Sequence, residues 1–337
     1  RRIESALSQL AWNLMSRVLL APMEGLIDEI MRDLLTRSRT YDWCVTAFAR
    51  VTGTVLPNRA YWRLAPELKH GARTSAGTPV RVQLLGSDPA SLAENAARLS
   101  GLGPAGIDLN FGCPAPIVNR HRGGAALLDE PELLHAIARA CVVAVGGRVP
   151  VTAKMRLGIA DVSGCVKIAQ ALAAGGVDGL VVHARTRDEF YRPPAHWACL
   201  RAIAEAVPVP VVANGEIWSV ADYWQCREES GCVDVMLGRG AVADPFLVER
   251  IRAAQQGTPA RTVEEDWPRV LQLLADFWRA VLLKVAPRHA PGRLKQWLNL
   301  LRRAYPLAER MHLEIRPMCG VDEISAALLR WSAQDGR

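Results

Sequence analysis

The chain has no run of 18 or more uncharged apolar residues, which excludes a helical membrane span on length alone. Its eight cysteines, at 44, 113, 141, 165, 199, 226, 232 and 319, include no CxxC pair and no His/Cys ligand spacing. Neither a metal site nor a disulfide framework is therefore expected, and a reduced, cytoplasmic compartment is the economical reading. Residues 1–16 begin basic but lack both a continuous apolar core and a small-residue cleavage site, so they do not read as a signal peptide. The chain does not begin with Met, and Met15 stands just before the first strand-like run; residues 1–16 are expected to be an extension that is not native. Internal repeats and low-complexity segments are missing too, and no GxGxxG follows the first strand-like run, which counts against an open, doubly wound sheet.

What is present is an ordinary globular composition over 337 residues, 50% hydrophobic and 22% charged, with a net charge of +7. That excess is concentrated. Between Ala286 and Arg316 lie Arg288, Arg293, Lys295, Arg302, Arg303, Arg310 and Arg316, opposed only by Glu309 and Glu314. A basic window of this kind points to a polyanionic partner, although charge says nothing about fold.

Short runs rich in Val, Ile, Leu and Ala recur at 18–21, 44–47, 80–84, 106–109, 151–155, 179–182, 209–213 and 233–237. Most are separated by segments with apolar residues at helical spacing, as in 89–100, 131–145, 165–174 and 197–206. Eight alternating strands and helices imply parallel pairing with right-handed crossovers and predict an α/β fold, a closed (β/α)8 TIM barrel over 17–254. From 255 the strand-like runs stop. Residues 255–259 read as a linker, and 255–337 as a small all-helical C-terminal domain, with helices over 267–285, 293–304 and 322–331 and Pro287, Pro291, Pro306 and Pro317 as breaks.

In a barrel the carboxyl ends of all strands converge on one face, so polar residues just past each strand can meet. Here they are Pro22-Met23-Glu24, Arg50, Gln83, Asn110 and Cys113, Lys154, His183, Asn214-Gly215-Glu216 and Gly238-Arg239-Gly240. The glycines after strands seven and eight suit a phosphate held on exposed backbone N–H groups, with Arg239 adding a charge-assisted contact. Lys154 ends its strand pointing to the mouth or interior, where an unpaired ammonium is costly, so it calls for an electron-rich ligand such as a flavin ring. Gln83 can donate and accept, as a flavin edge requires. Cys113 sits on a turn fixed by Gly112 and Pro114; a cysteine near its reference pKa of about 8.5 is mostly thiol at neutral pH, a competent proton donor. The other seven cysteines read as structural.

The series Leu19-Leu20-Ala21-Pro22-Met23-Glu24-Gly25, Val82-Gln83-Leu84, Asp108-Leu109-Asn110-Phe111-Gly112-Cys113-Pro114, Lys154-Met155-Arg156, His183-Ala184-Arg185-Thr186, Ala213-Asn214-Gly215-Glu216 and Gly238-Arg239-Gly240 resembles the tRNA-dihydrouridine synthases. Arg293-Leu294-Lys295-Gln296-Trp297-Leu298 is similar to the tail motif of their C subfamily. The resemblance implies an FMN enzyme that reduces the C5–C6 double bond of a D-loop uridine of tRNA, at position 16 for that subfamily, with NADPH as reductant; the chain is expected to be a monomer. By the same resemblance Pro22, Met23, Glu24, Gln83, Lys154, His183, Asn214, Gly215, Glu216, Gly238 and Arg239 are expected to hold FMN. Cys113 is expected to protonate C5 while hydride reaches C6. Arg50, Asn110, Tyr191, Arg293, Lys295 and Arg316 are expected to touch tRNA. Two departures stand out: Asn119-Arg120-His121-Arg122 brings bulk and charge where the family has small residues, and Phe111 replaces Met or Cys. The rival readings are an FMN barrel acting on a small molecule, of the dihydroorotate or ene-reductase kind, which leaves the basic tail unexplained, and a non-catalytic RNA-binding barrel, which leaves Lys154 and Cys113 idle.

Overall fold

The computed structural model describes residues 16–120 and 122–334; the expected extension lies outside the described residues except for Ser16, and so does His121. Eight parallel strands close on themselves in sequence order: β1 Val18–Leu20, β2 Trp43–Arg50, β3 Val80–Leu85, β4 Ile107–Phe111, β5 Val151–Arg156, β6 Gly179–His183, β7 Val211–Asn214 and β8 Asp234–Leu237. Pairing of β1 with β8, Leu19 opposite Met236, completes the barrel. The TIM barrel expected from the alternation is therefore present.

The strands mostly run one or two residues further at their carboxyl ends than the apolar runs that announce them. A polar residue can still donate and accept in the ladder, so Asn110, Arg156, His183 and Asn214 each join a strand rather than follow one. At the other end β7 starts at Val211 instead of Val209, because Pro210 has no N–H to give the ladder. Strand β2 reaches Arg50 across a register shift between Val45 and Phe48.

Period-two alternation divides the barrel into two packed zones. Ile107, Leu109 and Phe111, with Ala153, Met155, Leu180 and Val182, face outward into the large core beneath the helices. The inward set is apolar on one side, where Leu19, Ala21, Val45, Val181, Val212 and Met236 pack together. Across from them Gln83, Asp108, Thr152 and Lys154 make a buried polar layer. Buried polar groups persist only when hydrogen-bonded, so this layer is a structural commitment to one network.

The tail docks through the same kind of pairing. Helix Ala290–Leu301 buries Leu294, Trp297, Leu298 and Leu301 fully, the stripe expected from their spacing, and Trp297 Nε1 donates to the Val242 carbonyl at 3.0 Å. Tyr305 donates to Asp244, whose carboxylate also meets Arg250. The expected linker begins two residues late: Gln255 and Gln256 complete helix Leu247–Gln256, which stops at Gly257 in a left-handed conformation. Pro306 does not break structure but starts a further helix, Pro306–Ile315, since a missing N–H costs nothing in a first turn. Pro291 lies in the first turn of its helix for the same reason.

Helix Val263–Lys284 opens with a capping box: Thr262 Oγ1 accepts from the Glu265 N–H, and the Glu265 carboxylate accepts from the Thr262 N–H at 2.7 Å. Thr262→Ala is expected to cost about 1 kcal/mol, read as a lower midpoint in thermal unfolding. An unchanged midpoint would mean that packing alone holds this helix start.

Candidate active site

At the carboxyl ends of the strands lies a cavity of about 620 Å³. Pro22, Met23, Glu24, Gln83, Asn110, Cys113, Lys154, His183, Tyr191, Asn214, Gly215, Glu216, Gly238 and Arg239 all line it, drawn from strand ends and the loops after them over more than 200 residues of chain. Arg50, Arg293, Lys295 and Arg316 do not.

The Cys113 turn is held from several directions. Asn110 Oδ1 accepts from the N–H groups of Gly112 and Cys113, at 3.0 and 2.9 Å. The Cys113 carbonyl accepts from Ala125 N–H at 3.1 Å and from Asn119 Nδ2 at 3.0 Å. Asn119, whose bulk the resemblance marked as a departure, is thus part of the clamp, while Arg122 turns outward to Glu130. Gly124 adopts φ +61° and lies so close that a Cβ there would stand 2.8 Å from the Cys113 carbonyl oxygen. Burial pushes the Cys113 thiol up, against the smaller opposing pull of the Ala115 N–H and Arg156. It is a thiol at neutral pH.

Lys154 Nζ donates to Asn214 Oδ1 at 3.0 Å, and Asn214 Nδ2 donates to the Met236 carbonyl. Burial, with Arg156 nearby, pulls the ammonium down to about 8. His183 is held well below its usual range by burial and by Arg156, Lys154, Arg185 and Arg239 around it. It is neutral, and because Arg185 can only donate to its Nε2 at 3.2 Å, the ring proton sits on Nδ1. Gly215, at φ +118°, presses on the same ring; a Cβ there would meet His183 Cδ2 at 2.9 Å.

Some expected contacts prove to be engaged within the protein. Glu216 is ion-paired to the fully buried Arg185 and accepts from Trp218 Nε1 at 2.8 Å, so its carboxylate shapes the wall. Asn110 spends its oxygen on the Cys113 turn and its amide nitrogen on Gln83. Arg293, expected on an RNA-facing surface, donates to Asp28 at 2.5 Å and to the Gly25 carbonyl, tying the tail to the loop after β1. Arg316 is exposed and Lys295 half-buried, both away from the cavity. Cys319, read as structural, is exposed between two tail helices.

The cavity also contains residues that the sequence reading did not single out. Arg156, almost fully buried, donates to the carbonyls of Gly112, Thr186 and Phe190, bracing the Cys113 turn against the loop after β6. Its place was legible in Lys154-Met155-Arg156, two residues on from Lys154 and so on the same face. At the mouth, cations and aromatic rings alternate: Arg303 lies 3.7 Å from the Trp218 ring, Arg239 5.1 Å from both Trp218 and Tyr191, and Arg156 5.3 Å from Tyr191. No local pattern announces this row, because tail and barrel each supply part of it.

The dihydrouridine synthase family model matches residues 19–300. The tRNA-dihydrouridine(16) synthase of Ralstonia nicotianae is 53% identical over 323 residues, covering 96% of this chain and 98% of that protein. The tRNA-dihydrouridine(16) synthase of Pseudomonas putida is 55% identical over 300 residues, 89% of this chain and 92% of that protein. Among solved structures, DHODH from Eimeria tenella in complex with ferulenol superposes with a TM-score of 0.51 at 14% identity, covering 72% of this chain and 82% of that one, a likeness of fold. With a family model covering the barrel and the first part of the tail, and relatives more than half identical along nearly their whole lengths, the chain belongs to the dihydrouridine synthase family, in the C subfamily that its motifs resemble.

Proposed function

We propose that the protein is a flavin-dependent tRNA-dihydrouridine synthase that reduces the uridine at position 16 of tRNA, with FMN as its flavin and NADPH as the reductant. The observation that carries the reading is a protonated thiol, Cys113, on a clamped turn in the same cavity as a buried ammonium, Lys154. The relatives' names support the tRNA substrate and its position.

The residues present fit a flavin mononucleotide. The cavity's volume suits a cofactor of that size. Gly215 keeps backbone free where a Cβ would collide with His183, and Gly238 and Arg239 offer a bare loop and a cation to a phosphate. Lys154 and Asn214 would meet the ring's electron-rich edge. When bound, the flavin supplies the hydride that adds to uracil C6.

The protein's own groups do the rest. Cys113 gives its proton to C5, and the turn around it fixes where that proton is delivered. A uridine stacked within tRNA cannot reach the cavity, so it must be turned out to enter. Trp218 and Tyr191 at the mouth offer rings for neighbouring bases, and Arg303 offers charge to their phosphates. This row, more than Arg293, supplies the RNA grip. The reading favours tRNA over a small molecule because Arg303, stacked on Trp218 but outside the cavity lining, would have no task with a substrate wholly inside the cavity.

Mass analysis of tRNA from cells lacking the gene tests the proposal. Dihydrouridine at position 16 is expected to be lost and to return when the gene is restored. Its persistence in the deletion strain would refute the assignment.

A further inference from the structure

A chain of hydrogen bonds runs from the buried barrel interior to the half-buried Cys113 turn, and its direction is set at the turn. The N–H groups of Gly112 and Cys113 can only donate, so the Asn110 atom facing them must be its oxygen. Asn110 therefore turns its NH2 group to Gln83, which must present Oε1, at 2.7 Å. Gln83 is fully buried, and its remaining Nε2 must then find an acceptor. Asp108 Oδ2 is that acceptor at 2.7 Å, and the other Asp108 oxygen accepts from the Thr152 hydroxyl, also at 2.7 Å. Each amide has one permitted orientation, and each constrains the next.

We propose that Asp108 is a positioning residue for the Cys113 turn, acting through Gln83 and Asn110 by fixing the direction of every hydrogen bond between them. Asp108 does not touch the cavity. Its importance for chemistry rests on the reading of Cys113 as the proton donor, whereas its effect on the turn stands on the bonds alone. Burial pushes the Asp108 pKa up, and the bonds donated by Gln83 and Thr152 oppose that and hold both of its oxygens as acceptors at the buried end. Networks of this kind are costly when half satisfied, so an error at one end propagates to the other.

Reversing the chain tests the idea. In Asn110→Asp, carboxylates flank Gln83 on both sides; Gln83 can donate to one only and must turn its oxygen to the other. Asp108→Asn in the same protein removes that conflict. The amide introduced at position 108 donates to Gln83 Oε1, and Gln83 Nε2 donates to the carboxylate introduced at position 110. That carboxylate still accepts from the N–H groups of Gly112 and Cys113. The number of carboxylates is unchanged. N110D is expected to lower kcat for dihydrouridine formation by about tenfold and to alter the rate of iodoacetamide alkylation at Cys113, followed by peptide mass analysis. D108N alone should give a smaller loss, because an amide there can turn and keep its oxygen toward Gln83. D108N/N110D should return both readouts to within about threefold of the wild type, a coupling that a double-mutant cycle isolates. Additive losses, or a double variant as impaired as N110D, would overturn the proposal. Should N110D fail to fold, the double variant carries the test: it must be folded and active. If Cys113 proves dispensable for the reaction while the alkylation pattern is still rescued, the catalytic reading fails and the positioning role stands.

Discussion

Cys113→Ala is expected to lower dihydrouridine formation by about 10²- to 10⁴-fold, or about 3 to 5 kcal/mol of barrier, while the flavin stays bound. The size follows from the loss of a placed general acid; retention of the flavin follows from the structure, since the Cys113 turn is clamped by Asn110, Asn119, Ala125 and Gly112's bond to Arg156, none of which uses the thiol. A general acid must be protonated to act, so activity is retained below the thiol's pKa and lost as pH rises through it. Burial pushes that pKa above the ordinary cysteine range, which places this alkaline loss above it too. Single-turnover reduction of tRNA across pH, with bound flavin measured by absorbance, checks both parts. Wild-type rates in the Ala variant would remove Cys113 from the chemistry, and loss of flavin with the thiol would make its role one of binding.

The fold was legible because barrel strands bury both faces and so read as apolar runs, and eight of them alternate with helical spacing. The strand ends were legible for a related reason: a polar residue closing an apolar run, such as Lys154, Asn110 or Asn214, has few places to point other than the mouth. What the sequence could not carry was pairing at a distance. Asp28 lies 265 positions from Arg293, and nothing near either residue signals that the guanidinium is occupied. The charge of the window 286–316 was visible, but charge alone does not separate a cation facing a phosphate from one that fastens the tail. The row Arg303, Trp218, Arg239 and Tyr191 was hidden in the same way, since docking of the tail creates it. Arg156 and Arg185 are a different case. Arg156 continues the alternation of a visible strand past Lys154, and period two alone puts it on the inward side, whereas Arg185 lies past the end of its strand in a tight turn on His183.

Lys154→Met should weaken flavin binding by about 10- to 10²-fold, the effect of removing a charged hydrogen-bonding partner worth about 1.5 to 3 kcal/mol. Met has nearly the same length and keeps the buried stem packed against the barrel wall, so the change isolates the ammonium. The substitution frees Asn214 Oδ1, which accepts from Lys154, but the Asn214 amide nitrogen stays tied to the Met236 carbonyl and keeps the side chain in place. Burial has pulled the Lys154 pKa down from its ordinary value to about 8. Below that pH the group is a cation facing an electron-rich ring; above it the cation is progressively lost and the attraction with it. Flavin affinity of the wild type is therefore expected to fall as pH rises through about 8, and the fall should be missing in the Met variant, which is weak at every pH. The two alkaline losses are separable, because Cys113→Ala leaves the binding change near pH 8 in place and removes only the one in the chemical step. Equal affinity of wild type and Met variant, with the same pH profile, would show that Lys154 answers only to Asn214 and that the flavin is held by the Gly215 and Arg239 side of the cavity.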